Sequence, residues 1–241
     1  DHRGGAVSTG RLETFADGVF AIAATLLILN VDTRVGEEVA DLGERLLVIW
    51  PSYVGYVVSF VTIGIIWINH HTFMAQIGKV DRLFLLLNVG LLRCVAFIPF
   101  PTRLVTEQFR SEGARAAALV YGVTLTATAV FFNAIWFYAS AGGRLLRDDH
   151  DPRTVKGITR SYLPGPWIYL AATLVAFVSP TASVVLFGAV AVFYIVESSW
   201  FGRSRTKGGA GPLHHLEGLV HRDARAALQH RGPFGLLDRL V

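Results

Sequence analysis

The apolar stretch at residues 11–31 places the strongest constraint on this chain, because it is long enough to cross a lipid bilayer as a helix. A hydrocarbon core of about 30 Å needs about 20 apolar residues when each adds about 1.5 Å to the helix. The stretch nevertheless carries a carboxylate at Asp17. Since the hydrocarbon contains no water to solvate a charge, we expect neighbouring helices to supply a partner for Asp17.

Further apolar runs make the whole chain typical of a membrane protein, with 52% apolar and only 17% charged residues. The runs predict an all-α membrane protein with six transmembrane helices per subunit. They lie at residues 11–31, 46–73, 83–105, 114–140, 163–179 and 181–201. The last two are predicted to form a hairpin, because Pro180 divides a run that is too long for a single span.

The cations predict how the chain is oriented. With six spans and a cytoplasmic N-terminus, most Lys and Arg residues fall on the cytoplasmic side, as the positive-inside rule requires. We therefore expect a multi-pass protein of the cell membrane with both termini in the cytoplasm. The outer loops are net acidic, which either concentrates cations near the protein or reflects ordinary solvated loops.

The composition changes after the last apolar run, which divides the chain into a membrane domain of residues 1–201 and a cytoplasmic tail of residues 202–241. Residues 202–211 form a Gly-rich basic linker, and the apolar positions of residues 213–230 predict an amphipathic helix. Residues 144–160 are basic with acidic residues among them, and they are interpreted as a cytoplasmic loop broken at Pro152.

The first span has a recognisable sequence motif, Arg-x-x-x-Phe-Ala-Asp at residues 11–17. It resembles the first helix of the transmembrane protein 175 family of potassium channels, whose usual motif has Ser in place of Ala16. The motif Trp-x-x-His-His at residues 67–71 matches the other characteristic sequence of that family. The change at Ala16 removes one hydroxyl from the polar network that the family places around Asp17.

One face of the first span is a candidate pore lining. At about 100° per residue, Thr25, Leu26 and Leu29 lie within about 60° of Ile22, whereas Asp17 lies about 140° away. The resemblance implies that Ile22 and Leu29 form the hydrophobic narrowing of a pore and that Thr25 contributes to a preference for potassium over sodium. Rings of apolar side chains stop ions by dewetting. The alternative is an ordinary membrane helix whose Thr hydroxyl bonds to its own backbone.

A second group of candidates surrounds Asp17. We expect one of the adjacent histidines, His70 or His71, to pair with Asp17 while Trp67 packs against that histidine. Such a pair is either a structural clamp alone or a group that titrates near neutral pH. The resemblance implies that this network, with Arg11, orients the first helix and links Asp17 to a proton response. No metal site is predicted, because adjacent helical residues point about 100° apart.

These patterns predict a potassium-preferring cation channel that conducts passively. The resemblance implies a homotetramer whose central pore is lined by the first helix of each subunit, because longer family members carry two repeats and act as dimers. No cofactor is expected beyond the permeant potassium ion, and neither nucleic-acid binding nor enzymatic activity is predicted, since no nucleophile and base occur at a suitable spacing.

The alternative is a proton-coupled secondary transporter, with Asp17 and the histidines as a proton relay. That class of protein requires helices broken near the middle of the membrane. The prolines are instead placed towards the ends of predicted spans, at Pro51, Pro99, Pro101, Pro164 and Pro166.

Overall fold

The computed structural model describes residues 8–31, 41–109 and 111–208, where the regular structure is helical. The α-helices in chain order are α1 (Thr9–Leu26), α2 (Leu42–Val48), α3 (Trp50–Met74), α4 (Arg82–Phe97), α5 (Pro99–Glu107), α6 (Ala114–Ser140), α7 (Pro152–Tyr162), α8 (Gly165–Val175) and α9 (Pro180–Gly208). Short 3₁₀ helices follow α1 at Leu27–Asn30 and α6 at Ala141–Gly143. The expected all-α fold class is therefore observed in these residues.

Four helical stretches within the described residues are long and apolar enough to cross a membrane. They are Thr9–Asn30, Trp50–Met74, Arg82–Glu107 and Ala114–Gly143. The predicted fourth span coincides with α6. The predicted fifth span corresponds to α8, whose 11 residues reach only about 16 Å, well short of a hydrocarbon core of about 30 Å. The count of six spans stays a prediction.

The predicted hairpin of the last two spans is present as α8 and α9. α9 begins at Pro180, a position where the missing N–H of proline costs no helical hydrogen bond. The Ser179 hydroxyl accepts a bond from the Ala182 N–H at 3.2 Å and so caps the start of α9. The Ser183 hydroxyl donates to the Ala172 carbonyl at 2.7 Å, which joins the two helices.

The third candidate span differs from its prediction, because a proline interrupts it. Pro99 was expected to lie towards the end of a span, but it divides the apolar stretch into α4 and α5. The pyrrolidine ring has no N–H and cannot continue the hydrogen bonding of α4. Helical bonding resumes where the Thr102 N–H donates to the Ile98 carbonyl at 3.1 Å.

The interpretation of Pro152 as a break in a loop is wrong, because Pro152 begins α7. The Asp151 side chain accepts hydrogen bonds from the N–H groups of Arg153 and Thr154, at 3.0 and 3.2 Å. A capping Asp followed by Pro is a helix start signal. The indole of Trp136 on α6 donates to the Thr159 hydroxyl at 2.9 Å, which holds α7 against α6.

The core is built around α6, which packs against α4, α5 and α8. Its Trp136 is fully buried, as is Phe73 of α3. Two glycines allow close approach of neighbouring helices: Gly90 of α4 lies against the Phe131 ring, and Gly122 of α6 lies against the Thr173 side chain. Small residues at such contacts are the usual device for packing helices in lipid.

The segments that follow α3 and α6 are joined at one end of the helices. Ile77 and Leu146 form an isolated antiparallel bridge. Asp81 caps α4 by accepting from the Phe84 N–H at 2.8 Å, and it also accepts a 2.6 Å bond from the Tyr138 hydroxyl. These two bonds favour the ionised carboxylate and hold the pKa of Asp81 below its usual value.

The chain divides into two compact units, residues 1–195 and residues 196–241. In the second unit, α9 extends to Gly208. Residues 202–208 of the predicted linker are thus helical. The remainder of the predicted tail, including the proposed amphipathic helix at residues 213–230, lies outside the described residues.

Candidate functional site

The helix α1 has one covered face and one open face. The covered face packs on α3 and α4. Its buried residues are Leu12, Ala16, Phe20, Ala23 and Leu27. The opposite face carries the predicted stripe, where Ile22 is 61%, Leu26 42% and Leu29 69% exposed. The described residues of one subunit therefore leave the candidate pore residues largely uncovered.

The end of this stripe is not α-helical. α1 ends at Leu26, and residues Leu27–Asn30 form a 3₁₀ helix. Side chains three residues apart eclipse one another in 3₁₀ geometry. This geometry stacks Leu29 over Leu26 and keeps both on the open face. The predicted continuous α-helix at residues 11–31 is corrected at this point.

Asn30 anchors the 3₁₀ helix to the bend between α4 and α5. Its side-chain amide donates to the Pro99 carbonyl at 2.7 Å. Sequence analysis overlooked this contact, although a lone Asn at the end of an apolar run has few alternatives to pairing with another helix. The position of Leu29 is therefore tied to the only proline that interrupts a candidate span among the described residues.

Thr25 is exposed on the same face as the stripe. Its hydroxyl lies 2.9 Å from the Ala21 carbonyl and 3.0 Å from the Ile22 carbonyl, so its proton is shared with the backbone of its own helix. This is the bonding pattern of an ordinary membrane threonine. The lone pairs of the hydroxyl oxygen remain available as acceptors on the open face.

Asp17 finds its partner on α3, as expected of a carboxylate in an apolar helix, but the partner is Trp67. The Trp67 indole Nε1–H donates to Asp17 Oδ1 at 2.9 Å. The His71 ring lies beside the indole, with centroids 6.4 Å apart and planes inclined by 32°. Arg11 is exposed and makes no ion pair with Asp17. Of the five predicted network residues, three are in contact: Trp67 bonds to Asp17 and lies beside His71.

The expected hydrogen bond between a histidine and Asp17 is corrected by the position of His70. His70 is buried and its Nε2 bonds to Asn88 Oδ1 on α4 at 3.1 Å. Because the Asn88 amide nitrogen already donates to the Phe84 carbonyl, Asn88 Oδ1 is the acceptor and Nε2 carries the proton. The Phe20 ring of α1 packs on His70 with centroids 5.5 Å apart.

Helical geometry explains why the side chains at residues 67, 70 and 71 of α3 have different partners. Trp67 and His71 are about 40° apart around the helix, whereas His70 is displaced by about 60° to the other side of Trp67. Trp67 and His71 thus share the side that reaches Asp17, and His70 turns towards α4. A buried tryptophan or one in lipid usually seeks a partner for its N–H. That signal would have identified Trp67 as the donor from the sequence.

The side chains on the open face of α1 are mostly apolar. Its open face offers branched apolar side chains and one hydroxyl oxygen. No group of three or more His, Cys, Asp or Glu side chains suited to a metal ion occurs within residues 8–31, 41–109 and 111–208.

Comparison with known proteins identifies the fold and its family. The model of the family described as "Endosomal/lysosomal potassium channel TMEM175" matches residues 11–99. A potassium channel of Chamaesiphon minutus is 39% identical over 193 residues, which cover 79% of this chain and 95% of that protein. The chain belongs to the TMEM175 family. The expected resemblance is thereby confirmed, and the chain is a multi-pass membrane ion channel and not an enzyme.

A second bacterial protein and a solved structure match to a similar extent. A potassium channel of Streptomyces collinus is 37% identical over 187 residues, covering 77% of this chain and 91% of that protein. The crystal structure of a lysosomal potassium-selective channel TMEM175 homolog from Chamaesiphon minutus superposes with a TM-score of 0.71 at 37% identity, covering 79% of this chain and 97% of that one. The region matched by the family model, residues 11–99, includes the motif at residues 11–17.

Proposed function

We propose that this chain forms a potassium-preferring channel in which α1 from each of four subunits lines a central pore. The observation that carries the proposal is the open face of α1, where Ile22, Leu26 and Leu29 are exposed opposite the face that packs on α3 and α4. A second copy of the chain is the natural cover for such a face. The names of the bacterial relatives, both potassium channels, support the choice of ion.

The narrowing acts through the wetting of the pore. Around a symmetry axis, Ile22 and Leu29 form separate rings of branched side chains, with Leu26 between them. An apolar ring of this kind excludes water until it widens, and ions cannot pass while it is dry. Conduction is passive and requires no coupled ion gradient.

Selectivity in this proposal comes from Thr25. Its hydroxyl proton is occupied by the carbonyls of Ala21 and Ile22, so each subunit presents only oxygen lone pairs to the pore. A ring of such oxygens replaces part of the hydration shell of a cation. Potassium gives up its water more readily than sodium, because it is the larger ion of equal charge. One ring of single oxygens gives a modest preference.

The topology proposed for the subunit has six spans, with both termini in the cytoplasm and the protein in the cell membrane. The four long apolar helices support the first four spans, and the α8–α9 hairpin supports the last pair. Residues 202–241 form a cytoplasmic tail in this topology.

The pore is tested by potassium flux into liposomes that contain the purified protein under an imposed potassium gradient. We expect Ile22→Asn and Leu29→Ala to accelerate flux, because they wet or widen the narrowing. Matched controls are Val123→Asn on α6 and Leu86→Ala on α4, both with comparably exposed parent side chains. They should leave flux unchanged. Native mass spectrometry should show four copies.

Two results would contradict the proposal. Equal flux in all four variants would show that α1 does not line the pore. Saturating flux that requires a counter-gradient of protons would replace the channel with a proton-coupled transporter.

A further inference from the structure

A cavity of about 70 Å³ lies between α3, α6, α7, α8 and α9. Its wall includes Ile66 and Asn69 of α3, Leu125 and Asn133 of α6, and Tyr169 of α8. None of the lining residues belongs to α1, so the cavity is separate from the candidate pore. A single water molecule occupies about 10–15 Å³ by this measure, so the space holds more than one water. The cavity is open on one side, so a ligand larger than this volume can extend out of it.

The wall of this cavity contains a polar atom without a partner. Asn133 is buried, and its Oδ1 is the one buried side-chain oxygen or nitrogen without a hydrogen bond among the described residues. The amide nitrogen donates to the Ala129 carbonyl one turn earlier, at 3.0 Å. That bond fixes which side of the amide is oxygen, since a reversed amide would set two acceptors against each other.

A buried acceptor left without a donor is costly, because it has lost its hydrogen bonds to water and gained none. The rest of the wall restricts what can supply the donor. It has no charged side chain, which disfavours an ion. Ile66, Leu125 and Phe132 offer apolar contact, and the Tyr169 ring adds a further aromatic surface.

The geometry points to a binding site for a small neutral amphiphile with one hydroxyl group, an alcohol or a phenol. The hydroxyl donates to Asn133 Oδ1, and the apolar body packs against Leu125, Ile66 and Phe132. A molecule of this class reaches the site from the bilayer, where it dissolves readily. On α3 the cavity residues Ile66 and Asn69 flank Trp67, so the occupant rests on the same helical turn that contacts Asp17.

The test compares phenol with toluene, which has nearly the same size and shape but no hydroxyl. Dissociation constants are obtained from the rise in melting temperature of the full-length protein with ligand concentration, in one detergent. The measured quantity is the ratio of the toluene constant to the phenol constant. Partition of each ligand into detergent is common to all variants, so it cancels when ratios are compared.

We expect this ratio to fall about 3- to 10-fold in Asn133→Leu, which keeps the side-chain volume and removes the acceptor. The matched control is Thr128→Val, also on the cavity wall, whose hydroxyl already donates to the Thr124 carbonyl at 2.8 Å. Its ratio should equal that of the parent. An unchanged ratio in Asn133→Leu, or no saturable binding of phenol, would overturn the proposal. The cavity would then be a site for water.

Ala129→Phe provides a second test that does not alter Asn133. The larger side chain fills the cavity beside the acceptor, so both phenol and toluene should lose saturable binding. Retention of either ligand with parental affinity would place binding elsewhere and overturn the proposal.

Discussion

The Trp67 indole reaches across from α3 to donate a 2.9 Å hydrogen bond to Asp17 on α1. This contact attaches the open-faced helix to its neighbour through a charged acceptor. Both side chains are exposed in the single subunit, so the bond lies at the edge of the packed core rather than inside it.

Replacement of Trp67 by Phe should lower stability while keeping an aromatic side chain at the position. Hydrogen bonds to charged groups contribute about 1.5–3 kcal/mol, and the exposed setting favours the lower end of that range. The melting temperature in detergent should fall accordingly. Trp167→Phe is the matched control, because Trp167 is exposed on α8 and should change stability by less than about 0.5 kcal/mol. Equal losses in both variants would deny the bond a stabilising role.

Thr25→Val should reduce the preference for potassium over sodium by a few-fold, because valine keeps the shape of threonine and removes the only oxygen of the stripe. Reversal potentials under mixed potassium and sodium gradients measure the permeability ratio. Thr72→Val on α3 removes another exposed hydroxyl, which also bonds back to its own helix, at 2.8 Å from the Ile68 carbonyl. It should leave the ratio unchanged. If both variants shift the permeability ratio equally, the Thr25 hydroxyl does not contribute specifically to selectivity.

Gly122→Ala should destabilise the protein by about 1–3 kcal/mol, because the added methyl would overlap the Thr173 side chain of α8. Gly64→Ala supplies the control. A methyl at Gly64 meets no atom within 4 Å, and alanine favours the helix by about 0.5–1 kcal/mol over glycine. Thermal unfolding of the two variants should therefore move in opposite directions. A stabilised Gly122→Ala would show that α6 and α8 pack less closely than described.

Asp81 should confer a stability that depends on pH. Its pKa is lowered in the folded protein by the Tyr138 hydroxyl and the Phe84 N–H. The ionised carboxylate therefore stabilises the fold fully above the unfolded pKa of about 3.9, and this contribution is lost as pH falls through the lowered folded value. Melting temperatures of the parent and Asp81→Asn should differ at pH 6, and the difference should shrink as pH falls below the unfolded value and vanish below the lowered folded pKa.

The control for that series is Asp148→Asn, whose exposed carboxylate lies 4.0 Å from Lys79. An exposed pair of this kind contributes little. Its melting curve should follow that of the parent at every pH. A gap between the parent and Asp81→Asn that does not shrink as pH falls from 6 to 2 would assign the effect to capping geometry rather than to charge.

The sequence predicted the membrane helices well where apolar length alone decides the outcome. α6 has the predicted bounds, and the stripe on α1 was located by periodicity together with the family motif. Bilayer thickness and helix geometry are sufficient for both, because each depends only on residues close together in the chain.

Predictions that depended on contacts between distant residues were less successful. Nothing near His70 in the sequence indicates that Asn88 is its partner, and nothing near Asn30 indicates Pro99. Pro152 was a different kind of error. The residue just before it, Asp151, is a helix-capping residue. A capping residue followed by proline indicates the start of a helix, whereas the sequence analysis interpreted the proline as a break.

The change of helix type after Leu26 makes the terminal turn of α1 adjustable. A 3₁₀ helix rises about 2.0 Å and turns about 120° per residue, against about 1.5 Å and 100° for an α-helix. If residues Leu27–Asn30 adopted α-helical bonding, Leu29 would swing by about 60° and retract by about 1.5 Å relative to Leu26. In the proposed pore, the width at this level would therefore depend on which of the two backbone bonding patterns residues Leu27–Asn30 adopt, and a change of pattern would also displace Asn30 from the Pro99 carbonyl.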